Sequence, residues 1–286
     1  MSGSFKDRNI DLITRGSYKS TPGGTAIFIG LRALDPLLQY GILAHGLGAN
    51  LLDAVGLGAR PPPLLSLRTG VHLIDVLDLS APRLALLSMA VGSSLKQIHW
   101  LTFLSREEFP AKAALVVGLF NTVVNSINTL AFCSSLLSTA CPPHDISESS
   151  LAPVAVAGSV LYVVGLAIEW IAEIQRARFK ADPANEGKPY SGGLWRLARH
   201  INYGGYSLWR AGFAMTGGGW VMGSIFGGFY MWDFATRAIP VLDSYCSRRV
   251  SDFPLSRDYD DFLVVYGEDW KKFKEQTPYR LLPFIY

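Results

Sequence analysis

Seven basic side chains crowd one stretch of this chain. Arg176, Arg178, Lys180, Lys188, Arg196, Arg199 and His200 all fall within the run EWIAEIQRARFKADPANEGKPYSGGLWRLARHINYGGY, residues 169–206. Apolar segments precede and follow the run, so the cations form a natural seat for an anion beside a bilayer. Guanidinium forks suit phosphate and carboxylate groups, which accept two parallel hydrogen bonds. The tail repeats the chemistry: Arg248, Arg249, Arg257, Lys271, Lys272, Lys274 and Arg280 are interleaved with Tyr and Trp. A ligand bearing phosphates and a ring system, such as a nucleotide, fits these residues, and so does an anionic lipid headgroup. The chain has no zinc-ligand spacing, nucleophile elbow, Rossmann glycine pattern or P-loop. Cys133, Cys141 and Cys246 read as small apolar fillers, and no metal site is expected.

The elements that must position these residues are membrane-like. Of 286 residues, 49% are hydrophobic and 17% charged, against roughly 25% charged in ordinary soluble domains. We expect an all-α fold: a polytopic transmembrane bundle of about six to eight membrane helices forming one domain over residues 1–286. A polar tail covers residues 1–25, membrane helices cover 26–168, and residues 169–286 form a basic, aromatic half that faces the cytosol; the substrate side and the cofactor-binding half, with its cofactor pocket, are assigned to these two parts only by the resemblance given below. A formal net charge of +3 is too small to argue for nucleic acid, and no obligate protein partner is implied. The N-terminus lacks an apolar h-region, so it is not expected to be a cleavable signal peptide.

Along the chain, residues 26–59 are apolar but interrupted. Arg32, Asp35 and Pro36 are expected to break the first half, leaving 37–59 to span with His45, Asn50 and Asp53 inside. Residues 64–79 read as a short or partial span. Residues 84–104 span, with Lys96 expected to snorkel to the interface or else to serve a cavity. In 113–137, Asn121, Asn125 and Asn128 recur at i, i+4 and i+7 and share one helical face. Lipid cannot satisfy amides, so that face points into the bundle, as glue between helices or as a polar lining. Residues 151–168 carry no charge, and Asp182-Pro183 closes their helix. Residues 204–242 are too long for one straight helix across ~30 Å of hydrocarbon. Gly217-Gly218-Gly219 sits near the middle, which predicts a hairpin of two short helices. The Lys/Arg bias puts both the basic loop and the tail in the cytosol, and a hairpin returns the chain to that side. The tail reads as an amphipathic helix with an extended end.

Two segments carry a resemblance. RFKADPANEGKPYSGGLWRLARHINYGG is similar to a pattern of RFK, NPAN, GLW and SRHPNYxG elements. RDYDDFLVVYGEDWKKFKEQTPYRLLPFIY is similar to an ending with RD, YGxxW, VPYR and PxIY elements. Arg257, Asp258, Tyr266, Gly267, Trp270, Pro278, Tyr279, Arg280, Pro283, Ile285 and Tyr286 sit in register. Both patterns belong to the steroid 5-alpha-reductase-like superfamily, which includes sterol reductases and is related to isoprenylcysteine carboxyl methyltransferases. The resemblance covers roughly residues 169–286. Ile201 stands where proline is usual, and Tyr206 where sterol reductases carry an acid.

The resemblance implies a protein of the endoplasmic reticulum membrane that holds NADPH and reduces a carbon–carbon double bond in a sterol, steroid or terpenoid. It assigns Arg178, Asn185, Trp195, Arg199, His200, Asn202 and Tyr203 to the cofactor from the loop. From the tail it adds Arg257, Asp258, Tyr266, Tyr279 and Arg280. The first half must then supply a proton donor, for which Tyr40, His45, Asp53 and His99 are candidates at apparent membrane depth. An S-adenosylmethionine-dependent methyltransferase of the isoprenylcysteine or phospholipid type is the alternative, with Asp260-Asp261 before Tyr266-Gly267 as its acidic pair. A non-catalytic, lipid-binding scaffold is the third reading.

Overall fold

The computed structural model describes residues 19–63, 66–141, 148, 150–247, 266 and 268–286. The elements are α1 (Pro22–His45), α2 (Ala49–Ala54), α3 (His72–Asp75), α4 (Ala81–His99), α5 (Ala111–Cys133), α6 (Pro153–Ala181), α7 (Ile201–Asp233), α8 (Ile239–Ser247) and α9 (Glu268–Gln276). Among the described residues there is no strand. α1, α5 and α6 are long and apolar enough to cross a membrane. Their outward faces are apolar: Leu119, Val123 and Ile127 on α5 and Val156, Val160 and Val163 on α6 are all exposed. Such a belt suits lipid and would be an association liability in water.

α1 differs from expectation. It starts at Pro22 and runs straight through Arg32, Asp35 and Pro36 to His45. The two charges do not break it, because they neutralise each other one turn apart: Arg32 Nη2 lies 3.1 Å from Asp35 Oδ2, both buried. Asp35 also accepts from Gln39 Nε2 (3.0 Å) and Asn125 Nδ2 (2.7 Å). Lys96 does not snorkel. It is buried and paired with Glu169 of α6, whose other oxygen accepts from Trp209 Nε1 at 2.7 Å. No membrane-length helix forms in 66–79, where α3 is a single turn.

α6 and α7 run antiparallel in the closest helix pair. A Cβ on Gly165 would strike the Trp209 backbone, and one on Gly212 the Tyr162 backbone. Small residues at this spacing let backbones approach, as membrane helices do. α7 is the expected hairpin. Its helical geometry fails at Gly218 and at Gly219, where φ is +74°, a value glycine adopts without steric cost. The second arm then folds back on the first, bringing Tyr230 to 5.3 Å from Tyr206 and Phe234 to 4.5 Å from Tyr203. Ile42, Leu86, Phe132, Tyr162, Trp209 and Phe213 fill the core between α1, α4, α5, α6 and α7.

The amide face of α5 points inward as expected, with Asn121, Asn125 and Asn128 at 2%, 0% and 0% exposure. The ends of α4 and α6, the starts of α1 and α5, and both ends of the hairpin gather on one side of the bundle. That side carries the basic loop and the C-terminal tail.

Candidate cofactor cleft

After α6 the chain turns sharply. Asp182 accepts from the Ala184 N–H (2.9 Å), and Asn185 Nδ2 donates to the Phe179 carbonyl (3.0 Å). Residues 190–200 then fold back along α6. Leu194 N–H donates to Gln175 Oε1 and Trp195 Nε1 to the Ala172 carbonyl, both at 2.9 Å. The tail is stitched to the start of α7: Arg199 N–H donates to the Tyr279 carbonyl (2.9 Å) and His200 N–H to the Arg280 carbonyl (2.8 Å). Arg199 Nη1 binds the carbonyls of Thr277, Pro278 (3.1 Å) and Lys274 (3.4 Å). Gly204 permits this docking, since a Cβ there would collide with the Leu281 carbonyl.

α8 and α9 close the other wall. The result is a cleft of about 520 Å³, counted to its open mouth. It is lined by Arg176, Pro189, Tyr190, Trp195, Arg199, His200, Asn202, Tyr203, Leu242, Cys246, Tyr266, Trp270 and Phe273. Its rings are ordered among themselves. Tyr203 stacks between His200 (5.6 Å, 11°) and Phe234 (4.5 Å, 7°), and Tyr266 stacks on Trp270 (5.9 Å, 24°). Lys180 Nζ sits 4.5 Å above the Tyr266 ring.

Two polar groups define the chemistry. Asn202 Nδ2 donates to Glu173 Oε1 at 2.6 Å, which fixes the amide, while its buried Oδ1 has no partner among the described residues. That oxygen is an unused acceptor on a cleft-lining residue, and buried polar groups are otherwise almost always satisfied. His200 is buried, and burial pushes its pKa down from 6.5 to about 3, helped by the nearby Arg199 and Arg176. It is therefore uncharged at neutral pH.

Of the residues assigned through the resemblance, Trp195, Arg199, His200, Asn202, Tyr203 and Tyr266 line the cleft. Arg178, Asn185, Tyr279 and Arg280 do not. Arg178 lies two residues beyond Arg176, about 200° around the helix, and only Arg176 lines the cleft. Asn185 caps the end of α6, and Tyr279 packs against Phe284. Arg280 is held by the Tyr286 hydroxyl at 2.8 Å. Arg257, Asp258, Asp260 and Asp261 lie outside the described residues. Sequence reasoning did not assign Arg176, Leu242, Cys246, Trp270 or Phe273. Trp270 and Phe273 carried a signal, being three residues apart on one face of an amphipathic helix.

The proton-donor candidates do not converge on the cleft. Tyr40 donates to the Leu77 carbonyl (3.3 Å) and packs edge-on against His45 (5.4 Å), at the far end of the bundle. Asp53 accepts from the Ala59 N–H at 2.8 Å. His99 is nearer, but its Nδ1 accepts from Trp170 Nε1 at 3.0 Å.

A helical bundle of membrane character with an aromatic-lined cleft at one end is thus the class that fold and site define. Residues 105–260 match the family described as "Protein of unknown function (DUF1295)", and the chain belongs to that family. It is 38% identical over 246 residues to the protein named "Probable O-methyltransferase ustE" of Ustilaginoidea virens, covering 85% of each chain. No solved structure matches the chain.

Proposed function

We propose that the protein is an S-adenosylmethionine-dependent O-methyltransferase acting at a membrane on a lipophilic acceptor. The relative's name supports the reaction class, across most of both chains. The observation that carries the cofactor choice is the make-up of the cleft wall. Among the described residues seven aromatic rings, His200 included, line it, and its arginines are Arg176 and Arg199. Arg199 is committed to three tail carbonyls. Of the other arginines that the resemblance assigned to the cofactor, Arg178 and Arg280 do not line the cleft, and Arg257 lies outside the described residues. A cofactor without phosphates fits this wall better than NADPH does, so reduction of a double bond becomes the second reading.

The residues present suit S-adenosylmethionine. Arg176 makes no hydrogen bond or ion pair among the described residues and is the group for the cofactor's carboxylate. Asn202 Oδ1 accepts from an ammonium or an exocyclic amine. Tyr190, Trp195, Tyr203 and Tyr266 offer faces to adenine and to a sulfonium cation. His200, held neutral, adds no repelling charge beside that cation. When bound, the cofactor would supply an electrophilic methyl group to an oxygen nucleophile of the acceptor, with the residues above holding its carboxylate, amine and ring.

The same reading covers topology. α1, α4, α5, α6 and the two hairpin arms give six membrane helices in a single domain, with residues 169–286 as the cofactor half. The basic loop and tail are cytosolic, and the endoplasmic reticulum is the membrane the resemblance favours.

The test is thermal unfolding of detergent-purified protein with S-adenosylmethionine, S-adenosylhomocysteine or NADPH. A ligand at one hundred times its dissociation constant stabilises by about 2.7 kcal/mol. We expect a shift with the first two. A shift with NADPH alone reverses the order of the readings, and no shift in folded protein leaves the non-catalytic scaffold.

A further inference from the structure

Four cations are buried within α1 to α7. Arg32 pairs with Asp35, Arg83 with Glu148 and Lys96 with Glu169. The fourth, Arg210, is 0% exposed and has no acid partner among the described residues. Every group hydrogen-bonded to it is neutral, and the acid that acts on its charge, Glu169, is already paired with Lys96. Nε donates to the Tyr206 hydroxyl (3.1 Å), Nη1 to Asn125 Oδ1 (3.1 Å) and Nη2 to Asn121 Oδ1. The guanidinium lies 4.2 Å from the Trp209 ring, 5.2 Å from Tyr206 and 5.7 Å from Tyr230. These contacts give each guanidinium nitrogen a neutral partner without cancelling its charge, and a buried charge without a counter-ion of its own is among the most costly features a fold retains. At membrane depth such a residue marks a functional site.

A second observation lies beside it. Asn128, also 0% exposed, has neither amide atom hydrogen-bonded, one turn along α5 from Asn125. Gln97 donates to Asn121 at 2.8 Å but leaves its own buried Oε1 unpartnered. Along one face of α5 the bundle interior thus holds a positive charge bonded only to neutral groups and, one turn on from Asn125, amide donors and acceptors unpartnered among the described residues. Along the first arm of α7, Tyr203 lines the cleft, and Arg210 follows seven residues later on the same face. At 1.5 Å per residue it lies about 10 Å deeper. Tyr230 covers the guanidinium and also touches Phe120 (6.5 Å), which is exposed on the outer face.

We propose that Arg210, with Asn121, Asn125 and Asn128, seats the anionic head of an amphiphile such as a carboxylate or phenolate, at a site separate from the cofactor cleft. The charge that the fold leaves unpaired is completed by the ligand. The proposal goes beyond the methyltransfer reading and stands whether or not that reading holds.

The experiment measures unfolding of the whole protein in a neutral detergent with sodium dodecanoate, dodecanol or dodecyltrimethylammonium. Dodecanoate is expected to raise Tm by several degrees more than either of the other two. Arg210→Gln, which keeps an amide donor for the asparagines, is expected to erase that difference, and Arg210→Lys to retain much of it. Should Arg210→Gln not fold, Asn128→Leu serves, because it fills the seat and leaves the arginine's own bonds intact; it too is expected to reduce the dodecanoate shift. Equal responses of the native protein to dodecanoate and dodecanol overturn the proposal, as does an undiminished shift in the folded variant. Saturating S-adenosylhomocysteine separates the sites: abolition of the dodecanoate shift places the anion in the cleft and counts against the seat. A larger shift with it assigns the seat to the methyl acceptor. An unchanged one assigns it to a membrane lipid or fatty acid.

Discussion

Asn202 and Glu173 are joined by a 2.6 Å hydrogen bond that holds the amide by its nitrogen and leaves its buried oxygen without a partner among the described residues. Its orientation is thus set by α6 before any ligand arrives. Asn202→Ala is expected to weaken cofactor binding about tenfold, or ~1.4 kcal/mol, with little change in Tm without ligand. Asn202→Asp, which faces a second carboxylate, is expected to weaken it further. Titration calorimetry with S-adenosylhomocysteine checks both.

Arg199 is expected to behave differently from the rest of the cleft. Its guanidinium gathers carbonyls of residues 274, 277 and 278, so it tethers the tail first and touches ligand second. Hydrogen bonds to a charged group contribute about 1.5–3 kcal/mol each. Arg199→Ala should therefore lower Tm and speed proteolysis near α9, whereas Asn202→Ala should do neither. Limited proteolysis followed by mass mapping separates the two.

His200 gives stability a sign with pH. Its folded pKa, about 3, lies below its unfolded value of 6.5. Between those values the unfolded chain binds the extra proton, so stability rises with pH. The contribution is complete above pH 6.5 and is lost progressively as pH falls toward 3. His200→Asn is expected to flatten the decline in Tm between pH 7 and pH 5. An unchanged slope rejects the assignment.

The Lys96–Glu169 pair is buried on both sides. Removing one partner of such a pair strands the other charge and costs about 3–5 kcal/mol, while replacing both is often close to neutral. Lys96→Met alone is expected to be severely destabilised, and Lys96→Met with Glu169→Gln to recover most of the loss. Gln keeps an acceptor for Trp209. Detergent unfolding of the single and double variants provides the cycle.

Patterns that depend on one segment were readable in the sequence. The triple glycine inside an over-long apolar run announced the hairpin, and amides at i, i+4 and i+7 announced an inward face. Features that depend on a partner were not. Arg32 and Asp35 resemble interruptions until Asn125 and Ser94 are seen around them. Lys96 resembles a snorkelling residue until Glu169 arrives from a helix seventy residues later. The cleft was half legible for a similar reason. A motif reports which residues travel together, not which way each side chain turns, and so Arg178 was chosen where Arg176 lines the wall.

The turn at Gly218 and Gly219 has a consequence for supply. On the proposed topology an even number of passes separates the 182–200 loop from the C-terminal tail, and both would then face the same aqueous compartment. The water-soluble cofactor proposed above would reach the described walls of the cleft from that one side without crossing the bilayer. A greasy acceptor can arrive sideways from within it, so the two reactants need not share an entrance.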